Sequence, residues 1–345
     1  MRVIWAISIC FVFSLFTACE KDKSDPAPVP IEEPLADSSN SVFVINEGNY
    51  TSGNASITLY NKKTGALTED LFRQQNNQSL GDVAQSMSKI GDRYYIVVNN
   101  SGRLVVCDHE FKKLAQIPGL ISPRYLLKVA ENKAYLSDYK SGYMHVIDLP
   151  NAAQSTTFTC PGWTEEMLLC KNEVFVYNPF RNYLYVIDAL MDQLKDSIMV
   201  GKNASGMCMD KNGKVWVMSS GDPVSGPPKL SRINPADHSL ELVLPFSSSR
   251  NPFKLCINGK KDTLYFTDKD IYRMSVNDAS LPQLAFIPAA GRSFYGMGID
   301  PKTSDIYLSD ALDYIQRSQI LVYNARGEKK TEFKAGINAN GFYFE

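Results

Sequence analysis

The chain has 345 residues, of which 44% are hydrophobic and 21% are charged, and its formal net charge is −1. This length is sufficient for one large domain with a well-filled core. The near-zero charge excludes a general electrostatic attraction to nucleic acid or anionic lipid. Three histidines stand against 18 tyrosines and 17 phenylalanines, which favours aromatic-rich strands over a histidine-based metal centre.

The first predicted element is a short apolar segment from Val3 to Phe16, preceded by Arg2. It is too short to span a bilayer comfortably, and this arrangement is typical of a secretory signal. The residues LFTAC that end at Cys19 resemble a bacterial lipobox, in which the cysteine carries a lipid. The sequence therefore predicts a lipoprotein signal peptide over residues 1–18 and lipidation of Cys19, with an uncleaved signal anchor as the alternative.

A polar segment follows, and residues 19–40 are predicted to form the lipidated cysteine and a disordered tether. Four prolines and few large apolar groups between positions 26 and 40 favour an extended spacer. The charged run EKDKSD directly after Cys19 resembles the surface-export signal of Bacteroidetes lipoproteins. We expect a protein of the outer membrane that faces the cell exterior and contacts the membrane through its lipid anchor.

A unit of about forty residues then repeats to the end of the chain. GKNASGMCMD at 201–210 and GINANGFYFE at 336–345 share Gly, Asn, Ala and Gly at the same offsets. Each unit shows period-2 alternation of β-branched and aromatic residues, punctuated by Gly, Asn and Asp, which indicates antiparallel strands. The third strand of a unit ends in Asp or Asn, as in LYVID at 184–188, apart from the weaker copy IYRMS at 271–275, and we interpret that last residue as a turn former.

Seven copies of the third strand can be traced, which predicts an all-β fold. With four strands in each unit, residues 41–345 are expected to form a seven-bladed β-propeller of four-stranded antiparallel blades. VFVIN at 42–46 matches a second strand, so the missing inner strand is expected from GFYFE at 341–345. One blade would then be closed by both termini, which covers two strand edges.

One face of this propeller is predicted to bind a ligand. Loops that enter the inner strands, and loops between second and third strands, surround the channel mouth on that face. Longer loops at 48–55, 219–229 and 310–319 project from it, as is typical of a binding side. Amides, aromatic rings and charges of both signs suit a large polar ligand, although Asn and Asp are also common loop formers. The predicted ligand-binding residues are Glu47, Tyr50, Gln85, Asn99, Asn100, Arg124, Asp138, Tyr139, Trp163, Glu165, Asn178, Phe180, Arg181, Asn203, Asp222, Arg250, Asp268, Tyr295, Asp310, Tyr314 and Asn340.

Catalytic chemistry is not expected. No GxSxG, HExxH, Walker-type or EF-hand spacing occurs, and His109, His145 and His238 are predicted to lie away from the mouth. Mouth carboxylates beside Asn residues could hold Ca²⁺, so a metal-dependent, lactonase-like hydrolase is a disfavoured alternative. A quinone-dependent dehydrogenase is disfavoured because the chain lacks a repeated Trp motif and adjacent cysteines. The five cysteines beyond Cys19 lack CxxC spacing and are interpreted mainly as small buried hydrophobic residues.

These features together resemble a known family. The chain is similar to the YncE-like, surface-layer-type seven-bladed propeller lipoproteins of Bacteroides, through FVINEG at 43–48, YKSG at 139–142 and the Gly-x-Asn-Ala-x-Gly units. Within that group it looks most like the surface lipoproteins that capture cobalamin and hand it to a TonB-dependent transporter. The resemblance implies cobalamin as a bound ligand and such a transporter as the partner. A glycan-binding or protein-binding surface propeller is the alternative, because related propellers share the scaffold.

Overall fold

The computed structural model describes residues 40–345, so the predicted signal peptide, Cys19 and nearly all of the predicted tether lie outside the described residues. The described chain is almost entirely β-strand. Blades 1 to 3 contain β1 (Ser41–Asn46), β2 (Ser56–Asn61), β3 (Leu67–Thr68), α1 (Leu71–Asn76), β4 (Ala84–Ile90), β5 (Arg93–Val98), β6 (Arg103–Cys107), β7 (Lys113–Ile117), β8 (Pro123–Ala130), β9 (Lys133–Asp138), β10 (Tyr143–Asp148) and β11 (Ala153–Thr159).

The remaining elements continue the same order. Blades 4 and 5 contain β12 (Met167–Cys170), β13 (Glu173–Tyr177), β14 (Tyr183–Asp188), β15 (Gln193–Met199), β16 (Ala204–Met209), β17 (Val215–Ser219), β18 (Lys229–Asn234) and β19 (Ser239–Pro245). Blades 6 and 7 and the closing strand are β20 (Phe253–Ile257), β21 (Thr263–Asp268), β22 (Asp270–Ser275), β23 (Phe294–Ile299), β24 (Ile306–Asp310), β25 (Arg317–Tyr323), β26 (Lys329–Ile337) and β27 (Ala339–Phe344).

These strands form seven antiparallel sheets, each built from consecutive strands apart from the closing strand of blade 1. The inner strands β27, β4, β8, β12, β16, β20 and β23 neighbour one another in a ring. The predicted fold class, an all-β seven-bladed propeller, is confirmed. Strand β17 shows why the blades stack, because all five of its residues, VWVMS, are buried between neighbouring sheets.

Blade 1 is closed by both ends of the described chain, as the sequence predicted. Its strand order is β27-β1-β2-β3, and β27 pairs with β1 in the register Val42 with Phe344 and Val44 with Phe342. The side chain of Glu345 then accepts hydrogen bonds from Lys89 and from the Tyr94 hydroxyl in blade 2. The closing strand therefore joins blade 1 to its neighbour as well as completing the sheet.

Blade 6 departs from the four-strand pattern. Its sheet is β20-β21-β22, and the fourth position is reduced to a single bridge between Ile271 and Ile287. Pro282 and Pro288 lack an N–H for a ladder, which explains why this segment does not extend into a strand. Blade 1 instead gains the short helix α1 after a two-residue β3, capped by Asp70. The sequence reasoning did not predict this helix.

Turns and cysteines follow the sequence interpretation. The carboxylate of Asp188, at the end of β14, accepts backbone hydrogen bonds from Leu190 at 2.8 Å and Met191 at 3.1 Å. Such Asx turns stabilise the chain reversal and do not leave the side chain free for a ligand. The described cysteines are unbridged and buried or half-buried, and burial raises the pKa of the Cys107 and Cys160 thiols to about 12.

Candidate functional site

A repeated irregularity at the start of the inner strands builds the mouth of the channel. The pairing register shifts around Gln85, Ser205, Lys254, Tyr295 and Asn340, so each is an extra residue relative to the partner strand. Such bulges redirect a side chain out of the normal alternation. Arg124 in β8 and Glu165 just before β12 occupy the corresponding places in blades 3 and 4. We call these seven residues, one from each blade, the mouth ring.

All seven members of the mouth ring line one cavity of about 300 Å³, together with Glu47 from the loop after β1. A second cavity of about 210 Å³ lies farther along the channel. The two cavities share the residues Gln85, Tyr125, Glu166, Lys254 and Asn340, so they form one continuous channel. We call the first the mouth cavity and the second the lower chamber.

Hydrogen bonds run from blade to blade around one side of the mouth ring. Arg124 donates to Glu165 at 2.8 Å and also to the side-chain oxygen of Gln85. In the next two blades, Glu47 accepts from the Asn340 amide at 2.5 Å and from the Tyr295 hydroxyl at 2.6 Å. Buried groups gain more from such bonds than exposed ones, so the ring side chains are held in position before any ligand arrives.

Glu166 is a channel-lining carboxyl whose pKa is raised into the neutral range. Glu166 is half-buried and lines both cavities. Burial, partly offset by the charge of Lys254 and reinforced by the charge of Glu165, raises the pKa of Glu166 to about 7. This side chain therefore exchanges its proton near neutral pH.

Replacement of Glu166 by Gln is expected to change stability in a pH-dependent way. Because the folded-state pKa is raised to about 7 from 4.5, the stabilisation from the protonated acid is complete below pH 4.5 and is lost as pH rises through 7. Gln resembles the neutral acid, so E166Q should match the parent near pH 4.5 and exceed it by about 1–3 kcal/mol at pH 8. Urea unfolding at both pH values measures this. The exposed control E131Q should show no such difference, and a pH-independent gain in E166Q would contradict the assignment.

An aromatic cluster stands beside the mouth cavity. The ring of Trp163 lies between those of Tyr139, at 3.9 Å between centroids, and Phe180, at 4.7 Å. The indole N–H of Trp163 donates to Glu165, which joins the cluster to the mouth ring. Phe180 is 60% exposed, so the cluster presents a large apolar surface to solvent. Such surface at a concave, polar mouth is typical of a ligand site.

A second aromatic pair lies on another side of the mouth. Tyr314 packs edge-on against Tyr295 of the mouth ring, with 5.7 Å between ring centroids. The Asn49 amide donates to the backbone carbonyl of Tyr314 at 2.7 Å, which ties the two long loops of blades 1 and 7 together. Tyr50 in the same blade 1 loop is 70% exposed. Aromatic side chains thus flank the channel mouth on two sides.

The structure brings some of the predicted ligand-binding residues to the channel and uses others within loops. Those that line the mouth cavity are Glu47, Gln85, Arg124, Glu165, Tyr295 and Asn340. Those that belong to the aromatic clusters beside the mouth cavity are Tyr139, Trp163, Phe180 and Tyr314. Tyr50 and Arg181 are exposed on nearby loops. Those whose side chains bond loop backbone are Asn99, Asp138, Asn178, Asn203, Asp222, Asp268 and Asp310. Asn100 bonds Asp82, and Arg250 pairs with Asp268.

Asp138 illustrates the loop group. Its carboxylate is fully buried. Although burial opposes ionisation, His145 at 3.5 Å and hydrogen bonds from the backbone of Ser122, Lys140 and Ser141 lower the pKa of Asp138 to about 2. The acceptor positions of this carboxylate are thus used by the fold. Within residues 40–345, no group of three or more His, Cys, Asp or Glu side chains is arranged to hold a metal ion.

Sequence reasoning missed part of the channel lining. Ser205 and Lys254 complete the mouth ring, and Tyr125, Glu166 and Tyr177 line the channel beside them. The signal for Ser205 was present, because Ala-Ser-Gly at 204–206 aligns with Ala-Asn-Gly at 339–341. Lys254 had no such signal, since PFKL at 252–255 lacks the Asn-Ala-x-Gly pattern and the residue adopts a left-handed φ of 51°.

Comparison with known protein families identifies one family that matches the chain. A domain family of unknown function, DUF5074, matches residues 40–345, which is the whole of the described propeller. The chain belongs to the DUF5074 family. No curated protein sequence matches this DUF5074 chain. In residues 40–345 there is also no helix with the length and apolar character needed to cross a bilayer.

Several solved structures of differently named proteins resemble the DUF5074 propeller. A quinonprotein alcohol dehydrogenase-like protein from Bacteroides thetaiotaomicron has 14% identity and a TM-score of 0.72, over 89% of this chain and 78% of that chain. A functionally unknown protein from Desulfotomaculum acetoxidans has 14% identity and a TM-score of 0.67, over 88% and 98%. Virginiamycin B lyase from Staphylococcus aureus has 10% identity and a TM-score of 0.62, over 76% and 88%. At these identities the likeness shows the fold alone.

Proposed function

We propose that the protein is a non-enzymatic, lipid-anchored surface propeller that captures cobalamin at its channel mouth and delivers it to a TonB-dependent outer-membrane transporter. One observation carries the proposal of a ligand site: seven bulged or strand-entry side chains, one from each blade, converge on a mouth cavity flanked by exposed aromatic rings. The cobalamin and transporter assignments rest on the resemblance of the sequence to cobalamin-capturing lipoproteins.

The chemistry of the mouth is compatible with this ligand. A corrin is larger than the mouth cavity of about 300 Å³, so it would lie across the opening and not inside the channel. Its apolar face would contact Phe180 and Trp163, and its peripheral amides would exchange hydrogen bonds with Gln85 and Asn340. A glycan is the second candidate, because the exposed rings of Phe180 and Tyr314 also offer surfaces on which sugars stack.

Titration calorimetry with cyanocobalamin tests the proposal. We expect saturable heat at micromolar protein, and at least about tenfold weaker binding for F180A, since loss of one aromatic contact removes about 1.5 kcal/mol. Phe180 is mostly exposed, so F180A should keep the parental melting temperature. M191A is the matched control, because Met191 is equally exposed in a turn at the other end of blade 4.

Two outcomes would count against the proposal. Absence of heat with the parent protein would exclude cobalamin, and a glycan array would then test the second candidate. If F180A and the parent bound cyanocobalamin with equal affinity, the aromatic cluster would not be part of the binding site. Copurification of a TonB-dependent transporter with the lipidated protein tests the delivery step separately.

A further inference from the structure

A groove lies between blades 6 and 7 on the same face as the channel mouth. It encloses about 530 Å³ and is lined by the loop at 249–253 that enters β20, by the β21–β22 turn, and by the loop at 289–294 that enters β23. We call it the blade 6–7 groove. It shares Phe253 with the mouth cavity, but none of the residues expected to contact cyanocobalamin lines it.

The groove exists because blade 6 has a minimal turn on this face. Strands β21 and β22 are joined by Lys269 alone, with Asp268 paired to Asp270 in the ladder. The corresponding connections in blades 1 and 7 are the longer segments 47–55 and 311–316. The short turn of blade 6 therefore leaves a gap beside the loop that enters β23, and it places Lys269 at the edge of this gap.

The carboxylates that line the groove are largely used by the fold. Asp268 pairs with the Arg250 guanidinium and accepts the backbone N–H of Asn251 at 3.1 Å. The charge of Asp268 is therefore neutralised by a protein partner. Asp270 accepts the backbone N–H of Ala289 at 2.7 Å. Asp270 is then the one carboxylate of the groove lining whose charge is not matched by an ion pair.

Two cations line the same groove without such partners. Among the described residues, neither the Lys269 ammonium nor the Arg292 guanidinium forms a hydrogen bond or an ion pair. Arg292 is half-buried, and the acid that its charge influences, Glu332, already pairs with Lys329 at 2.8 Å. Two cations against the single unmatched carboxylate of Asp270 leave one positive charge in excess. A partly desolvated cation without a partner is costly, which favours an anion in the groove.

We propose that the blade 6–7 groove binds an organic monocarboxylate with an aromatic or short apolar body. The carboxylate would accept hydrogen bonds from Arg292, whose guanidinium offers two parallel donors, and from Lys269. The apolar body would lie against Phe253. A dianionic phosphate would exceed the single excess charge and would be repelled by Asp270, and a cationic ligand would add to the excess. This site is independent of the ligand proposed for the mouth.

Chemical-shift titration with 3-phenylpropionate tests the proposal, with 3-phenylpropanamide and 3-phenylpropylammonium as neutral and cationic probes of similar shape. We expect saturable binding of 3-phenylpropionate with a Kd of about 1 mM or tighter, and at least about tenfold weaker binding of the other two probes. Phenyl phosphate, which supplies a dianion on the same ring, should bind no more tightly than 3-phenylpropionate.

Variants of the two cations locate the bound carboxylate. R292Q should weaken binding about tenfold and R292K by less, because Lys keeps the charge without the paired donors. K269Q should weaken it about threefold, since Lys269 is exposed to solvent. K171Q is the matched control, because Lys171 is also exposed and has a left-handed φ of 56°, against 59° for Lys269, in the β12–β13 turn on the opposite face. It should bind like the parent.

Several results would overturn the proposal. These are binding of 3-phenylpropanamide or 3-phenylpropylammonium that equals or exceeds that of 3-phenylpropionate, tighter binding of phenyl phosphate, or no saturable binding to the parent. Unchanged affinity in both R292Q and K269Q would also overturn it. If K254Q, in the mouth ring, then abolished binding, the probe would occupy the mouth cavity and not the groove.

Discussion

Removal of residues 339–345 is expected to abolish cooperative folding of the propeller. The deletion takes away β27, the inner strand of blade 1, and exposes the edge of β1. Phe342 and Phe344 are half-buried and pack against Tyr307 of blade 7, with ring centroids 5.8 and 5.2 Å away, so each contributes up to about 1.5–3 kcal/mol. With the lost strand pairing, the total exceeds about 5 kcal/mol, which is comparable to the whole stability of many domains.

Calorimetric unfolding of the truncated and complete chains measures this effect. We expect the cooperative transition to disappear or to move down by at least about 10 °C. E345Q is the control for the side chain of Glu345, because it keeps β27 and weakens the contacts with Lys89 and Tyr94. Its cost should be about 1–2 kcal/mol. An unchanged melting temperature in the truncated chain would contradict closure by both termini.

The second large effect is expected at Trp216, the largest fully buried side chain among residues 40–345. Its indole N–H donates to the buried carboxylate of Asp210 at 2.8 Å, and the other oxygen of Asp210 holds the β16–β17 turn through Asn212 and Lys214. W216A should cost about 4–5 kcal/mol, because it opens a cavity between blades 5 and 6 and leaves that carboxylate without one donor.

W216F separates the two causes. Phe keeps most of the ring volume and removes the hydrogen bond, so we expect a loss of about 1–3 kcal/mol. The control L284A changes a side chain that is 85% exposed and should stay within about 0.5 kcal/mol of the parent. Denaturant unfolding of the three variants gives the free energies. If W216F and W216A cost the same, packing would not be the main contribution of Trp216.

Most of the fold follows from the repeat because strand alternation and turn chemistry are local properties of the sequence. The second strand at VFVIN and the terminal GFYFE could be paired in advance, since each matched a different part of the same unit. Helix α1 spans six residues, too few for a helical period to stand out, and it depends on Asp70 and on burial of Leu71 and Phe72. The incomplete blade 6 likewise depends on tertiary pairing that no local pattern reveals.

The sequence was sufficient to predict which face of the propeller carries the site. It was not sufficient to predict which side chains on that face line the channel. Position in the repeat placed Gln85, Arg124 and Asn340 at the channel, because each starts an inner strand. The same reasoning included Asp138, whose carboxylate the loop backbone uses, since loop position does not determine side-chain direction. Lys254 was missed because a bulge changes which side chain of a strand faces the channel.

A crystal structure of the protein with cyanocobalamin would show whether the channel mouth is the binding site. We expect ligand density across the mouth cavity, in contact with Phe180 and Trp163 and within hydrogen-bond distance of Gln85 or Asn340. Ligand bound at the outer strands or at the opposite end of the channel, with the mouth cavity empty at saturating concentration, would contradict this expectation.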